Sequence, residues 1–179
     1  DIEVGQTVTV IVTDINGKTL TFTTMVVGAS WQIDDADLSS LSDGALTFSA
    51  SATDVAGNVV GATISADKDS LASITIEIVD DNGLINASES SNATLAGTVA
   101  NIENGRPVVI TVTDINGKTM TFNAVVVNGA WQVSNVDLSG FADGQLSLQA
   151  TSSDLAGNPA SADNSAILDT QISIDIDTG

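Results

Sequence analysis

Apolar and polar residues alternate with a period of two through most of the chain, in short runs rich in Thr, Val and Ile. Such alternation predicts β-strands with one face buried. Between the runs sit DDNG, ENGRP, DINGK, VNGA, ADG and DLAGN, each carrying the Gly, Asn or Asp that tight turns need. From residue 72 onward the predicted strands are 72–79, 93–100, 107–113, 119–127, 130–136, 145–152 and 160–168. No stretch shows sustained helical periodicity.

The pattern occurs twice. Residues 12–22, VTDINGKTLTF, return at 112–122 as VTDINGKTMTF, and a register of 100 residues then holds without a gap. GASWQI around Trp31 matches NGAWQV around Trp131, DLSSLSDGALTF matches DLSGFADGQLSL, and TDVAGN matches SDLAGN. A period of this size is that of a domain, so the chain reads as tandem domains and not as a solenoid. The expected organisation is a first repeat at 1–70, a second, complete repeat at 71–170, and the opening strand of a following repeat at 171–179. Residues 74–100 have no counterpart ahead of Asp1, so the first repeat is expected to lack its N-terminal strands. About seven short strands per roughly 100 residues predict an all-β fold of tandem immunoglobulin-like Greek-key β-sandwiches. There is no cysteine, hence no disulfide. Trp31 and Trp131 are expected as core anchors, and Met25 and Met120 as gap-fillers in strands.

Composition narrows the function. The 179 residues are 42% hydrophobic, enough for packed cores despite the acidity. Twenty-three acidic against four basic residues give a net charge of −19, which argues against nucleic acid and anionic membranes as partners. The absence of His and Cys excludes Ser-His and Cys-His catalysis and ordinary zinc sites. No apolar run is long enough for a membrane helix. No phosphate-cradling glycine loop is present, so no small-molecule substrate is inferred.

The ordered set VTD-NGK-TF, G-W, VDLS-ADG-L and SDLAGN resembles the bacterial immunoglobulin-like repeats of giant RTX, type I-secreted biofilm adhesins. The resemblance covers essentially the whole chain. It implies a non-enzymatic extender module at the bacterial cell surface, with neighbouring repeats of the same chain as its partners. It also implies linkers stiffened by Ca²⁺, so that a distal ligand-binding domain is projected from the cell.

The residues offer candidate ligands. In an antiparallel sandwich, successive loops fall at opposite ends. One end of the first repeat then gathers Asp14, Asn16, Asp34, Asp35, Asp37, Asp43, Asp67 and Asp69. The end of the second repeat expected to face it gathers Glu103, Asn104, Asp154 and Asn158, with only Lys18, Lys68 and Arg106 as cations. Calcium takes six to eight oxygens in flexible geometry, which suits such loops better than magnesium's octahedron does. Taken singly, each Asp is explained by turn chemistry. Their recurrence, with the family resemblance, points to calcium shared by Asp14, Asp69, Glu103 and Asp154. A second candidate is DDNGLINASE, where Asp80, Asn82, Asn86 and Glu89 fall at calcium-loop positions, although Ile78 stands where the first ligand belongs. A ligand- or carbohydrate-binding adhesin module is the alternative function. The low aromatic content of 3% argues against it.

Overall fold

A computed structural model of the chain describes residues 2–79 and 82–174. Two compact units divide between Ser70 and Leu71.

The first unit holds β1 (Thr7–Thr13), β2 (Thr19–Met25), β3 (Gly44–Thr53) and β4 (Val59–Lys68). They form one antiparallel sheet in the order β2-β1-β3-β4. The second unit holds β5 (Ser73–Ile74), β6 (Glu77–Ile78), β7 (Leu84–Ile85), a single helical turn α1 (Ala87–Ser90), β8 (Ala93–Ala100) and β9 (Pro107–Thr113). It continues with β10 (Thr119–Val125), β11 (Ala130–Val136), β12 (Gly144–Ser153) and β13 (Pro159–Leu168). These make a two-sheet sandwich. One sheet runs β10-β9-β12-β13-β7, with β7 parallel to β13; the other runs β11-β8-β5, with β6 also on β8. Segment 72–79 is thus two short strands and not one continuous run. The sequence reading also passed over β7 and α1. The helical turn is set locally: Asn86 Oδ1 accepts the Ser88 and Glu89 N–H groups, and Glu89 Oε2 accepts the Asn86 N–H. This reciprocal capping stabilises a turn too short for periodicity to reveal.

Alternation sets the core. In β9, Val108, Ile110 and Val112 point inward, and in β12 Leu146, Leu148 and Ala150 do the same, all fully buried. Val8, Val10 and Val12 of β1 and Leu46 of β3 occupy the matching inward positions of the first unit. The units part company at the second layer. Trp131 on β11 is 3% exposed, and its Nε1 donates to the Thr75 carbonyl at 3.2 Å. The indole lies across β8 at Gly97, where a Cβ would come within 2.0 Å of that carbonyl and 2.7 Å of Nε1. Only glycine permits that crossing.

Trp31 departs from expectation: it is 45% exposed. β11 is held as a strand by β8, through pairs such as Trp131 with Gly97 and Val133 with Leu95. No strand of the first unit corresponds to β8, so residues 31–35 have no ladder to join and stay irregular. Met25 is likewise exposed, on the outer face of β2, and fills no gap there.

These environments predict opposite costs for one substitution. Trp131→Ala should destabilise the second unit by about 3–5 kcal/mol, as expected for emptying a buried aromatic site. Trp31→Ala should change stability by less than about 1 kcal/mol. Urea unfolding of each variant followed by circular dichroism measures both.

Candidate functional site

The acidic loops were the strongest candidates, and each unit builds them in the same way. Asp14 and Asp114 follow β1 and β9 and are almost fully buried. Oδ1 of Asp14 accepts the Asn16 and Lys18 N–H groups at 2.9 Å each, and Oδ2 accepts the Ser42 N–H at 2.9 Å. Asp114 repeats this with Asn116, Lys118 and Ala142 at 2.9, 2.9 and 3.0 Å. One carboxylate therefore closes its own hairpin and ties it to a loop some 28 residues away. Asn16 Nδ2 adds a bond to Ser42 Oγ, and the Lys18 and Lys118 ammonium groups reach the carbonyls of Ser40 and Gly140.

The opposite end uses a different pair. Asp154 is fully buried; Oδ1 accepts the Asn158 N–H and Oδ2 the Asn158 side-chain amide, both at 2.7 Å. Glu103 Oε2 accepts the Leu155 N–H at 2.8 Å, pinning loop 101–107 to loop 154–158. Asp54 with Asn58 and Glu3 with Val55 reproduce both motifs in the first unit. Within each unit, then, the loops gather at the two ends as antiparallel topology requires.

The electrostatics follow from these bonds. The Ser42 N–H is the main reason that Asp14 is held below the usual carboxylate range, with burial opposing it; the Ala142 N–H acts likewise on Asp114. Burial pushes Asp154 up, but the Asn158 side chain and the surrounding backbone N–H groups outweigh it and leave it lowered. Asp43 is held down to about 2, first by the Lys68 ammonium at 2.6 Å and then by Ser70.

Chemically, these carboxylates are turn locks. A cation at Asp14 or Asp154 would have to displace backbone or amide donors from oxygens already satisfied, so neither fits a metal. Among the described residues, no three acidic side chains come close enough to share an ion. Asn82 Oδ1 is taken by the Leu84 N–H at 2.8 Å, Asn86 and Glu89 by the helix cap, and Asp80 lies outside the described residues. Asp67 is exposed at the end of β4, and Asp69 is exposed in the connection that follows. Those two keep the accessibility a cation requires. Asp54, Asp114 and Asp43 were not on the candidate list; the 100-residue register already paired the first two with Asp154 and Asp14. The exposure of Trp31 had no local signal.

No protein-family model matches the chain, and no curated protein is similar to it. Solved structures are. The tetra-tandem repeat in the extending region of a large adhesion protein is 27% identical over 94% of this chain, with a TM-score of 0.51. A bacterial immunoglobulin-like domain from the M. primoryensis ice-binding adhesin is 33% identical, covering 54% of this chain and 96% of that domain, with a TM-score of 0.37. A structure described as a Ca²⁺-stabilised adhesin that helps an Antarctic bacterium reach out and bind ice is 33% identical over 97% of this chain, with a TM-score of 0.44. The chain belongs to the bacterial immunoglobulin-like repeats of large adhesins. It spans 43% of the extending-region structure and 42% of the Antarctic one.

In these immunoglobulin-like repeats the carboxylates hold the loops at both ends of each sheet, a job for ionised oxygens. No helix among the described residues is long and apolar enough to cross a membrane. Because the folded-state carboxyl pKa values are depressed, the stability they contribute is complete above the unfolded value near 3.9 and is lost as pH falls through the folded values. Thermal melts should show no loss from pH 7 to about 5 and a steep fall between about pH 4 and 2. Asp43, with its pKa at about 2, should surrender its share last. Asp114→Asn should lower Tm by several degrees at pH 7, because its NH₂ must face a backbone N–H; Asp67→Asn should leave Tm unchanged in the absence of divalent ions.

Proposed function

We propose that the chain is a structural extender segment of a long bacterial surface adhesin, working outside the cell and performing no catalysis. The observation that carries this reading is the exact-register recurrence of one turn-locked unit. Asp14 and Asp114, Asp54 and Asp154, and Glu3 and Glu103 make the same bonds 100 residues apart. Duplication of a scaffold, with its carboxylates spent on its own turns, suits a spacer better than a binding or catalytic centre. The similarity to extending-region repeats supports the same view. Each ten-residue strand spans about 33 Å, so every added repeat contributes reach along the strand direction. The exposed Trp31 does not favour sugar recognition, since its counterpart Trp131 is a core residue.

Calcium is the finer part of this reading. A net charge of −19 makes divalent binding favourable in general, and Asp67 and Asp69 lie in the stretch leading from one unit into the next. Those two carboxylates, with main-chain carbonyls and water completing the shell, are the ligands we propose. An ion there would restrict the connection and stiffen the array. Neighbouring repeats are then the partners of each unit.

Two measurements test this. On a polypeptide of several repeats, replacing EGTA with millimolar calcium should raise the maximum dimension seen by small-angle scattering; identical profiles reject stiffening. In melts of the same protein, calcium at 100 times its dissociation constant should add about 2.7 kcal/mol per site, and Asp67→Asn with Asp69→Asn should abolish the gain.

A further inference from the structure

The first unit presents an apolar sheet face with no second layer. Two concavities of about 500 and 360 Å³ lie on it, and Trp31 lines both. Val10, Phe22, Phe48, Ala50 and Ile64 complete the surface. Val60 is 54% exposed and Ile64 71%. An exposed apolar patch of this kind on a structured sheet marks an interaction surface.

The second unit shows what such a face accepts. The matching positions there, Ile110, Leu148, Ala150 and Ala160, are buried. They lie in the core with Ile74, Ile76, Ile85, Ala93 and Leu95 of the leading segment 73–100. That segment also reaches the other sheet through polar bonds: Asn164 Nδ2 donates to the Ile76 carbonyl at 2.8 Å, and β7 extends the sheet by pairing in parallel with β13. In the first unit β4, the counterpart of β13, has no strand on its outer side among the described residues. No residue of the first unit aligns with 73–100.

We propose that the first unit is a receptor for the leading segment of a repeat, donated in trans by another polypeptide with the apolar pattern of residues 73–100. The incoming chain supplies a β8-like strand, on which residues 30–36 become a strand as β11 does. It also supplies a β7-like strand parallel to β4. This is strand addition with specificity set by alternate side chains, here Ile74, Ile76 and Leu95 entering the Trp31 face. The chain cannot donate its own copy without opening the second unit, where every one of those residues is core. The inference rests on comparing the two units and stands independently of the extender role.

The test titrates the full 179-residue chain with a synthetic peptide of residues 71–101, read by tryptophan emission and calorimetry. Trp131 is already buried, so the expected signal is a blue shift from Trp31 that saturates at one peptide per chain. The peptide carrying Leu95→Asp should bind more than tenfold more weakly. The Trp31→Phe chain should still bind in calorimetry while losing the blue shift. No binding at about 100 μM peptide, equal affinity of the Leu95→Asp peptide, or a blue shift that survives in Trp31→Phe would each overturn the proposal. So would sedimentation of the chain alone as a dimer with Trp31 emission already shifted, since a second copy would then cover the face.

Discussion

A β-sheet that carries apolar residues on one face needs a second layer to remove that face from water. Everything else in this protein depends on whether that layer is present. Where it is, in the second unit, β9 and β12 bury their inward side chains completely and a tryptophan is threaded across Gly97 to a carbonyl of the opposite sheet. Where it is not, the same inward pattern yields a smaller core, an irregular segment at 31–35 and an exposed indole. The two units share their turns and their hairpins but not their burial. Burial is therefore a property of the layer pair and not of the strand.

Acidity plays a different part from the one its abundance suggests. Depressed carboxylates usually mark either a functional cluster or a structural network. Here the partners decide: backbone N–H groups and Asn side chains surround Asp14, Asp114 and Asp154, and each bond closes a loop of its own unit. Charge on these oxygens strengthens the bonds they accept. What remains accessible, Asp67 and Asp69, lies near the boundary of the units. A spacer built this way keeps its ends rigid and leaves divalent ions to act at the connection.

Much of the fold was legible in the sequence because it is written in local terms. The period-two runs gave the strands, and the Gly and Asn positions gave the turns. Asn128 and Gly129, at φ of 52° and 78°, occupy the two left-handed positions that the VNGA tetrad announces. The exact 100-residue register gave the domains. What was not legible is non-local. Nothing near Trp31 says that its cover is absent, since GASWQI reads like NGAWQV. The single helical turn at 87–90 depends on a three-residue cap and is too short for any periodicity. The site assignments suffered most: an Asp in a turn looks the same whether its oxygens face a cation or the backbone, and only the positions of the N–H groups separate the two.

The central claim is that one unit has its second layer and the other lacks it. Native-state hydrogen exchange on the 179-residue chain tests this most directly, because protection reports local stability strand by strand. Amides of β1 and β3 should exchange at least about 100-fold faster than their register mates in β9 and β12, although the ladders have the same pairing. Equal protection in the two sets of strands would contradict the account.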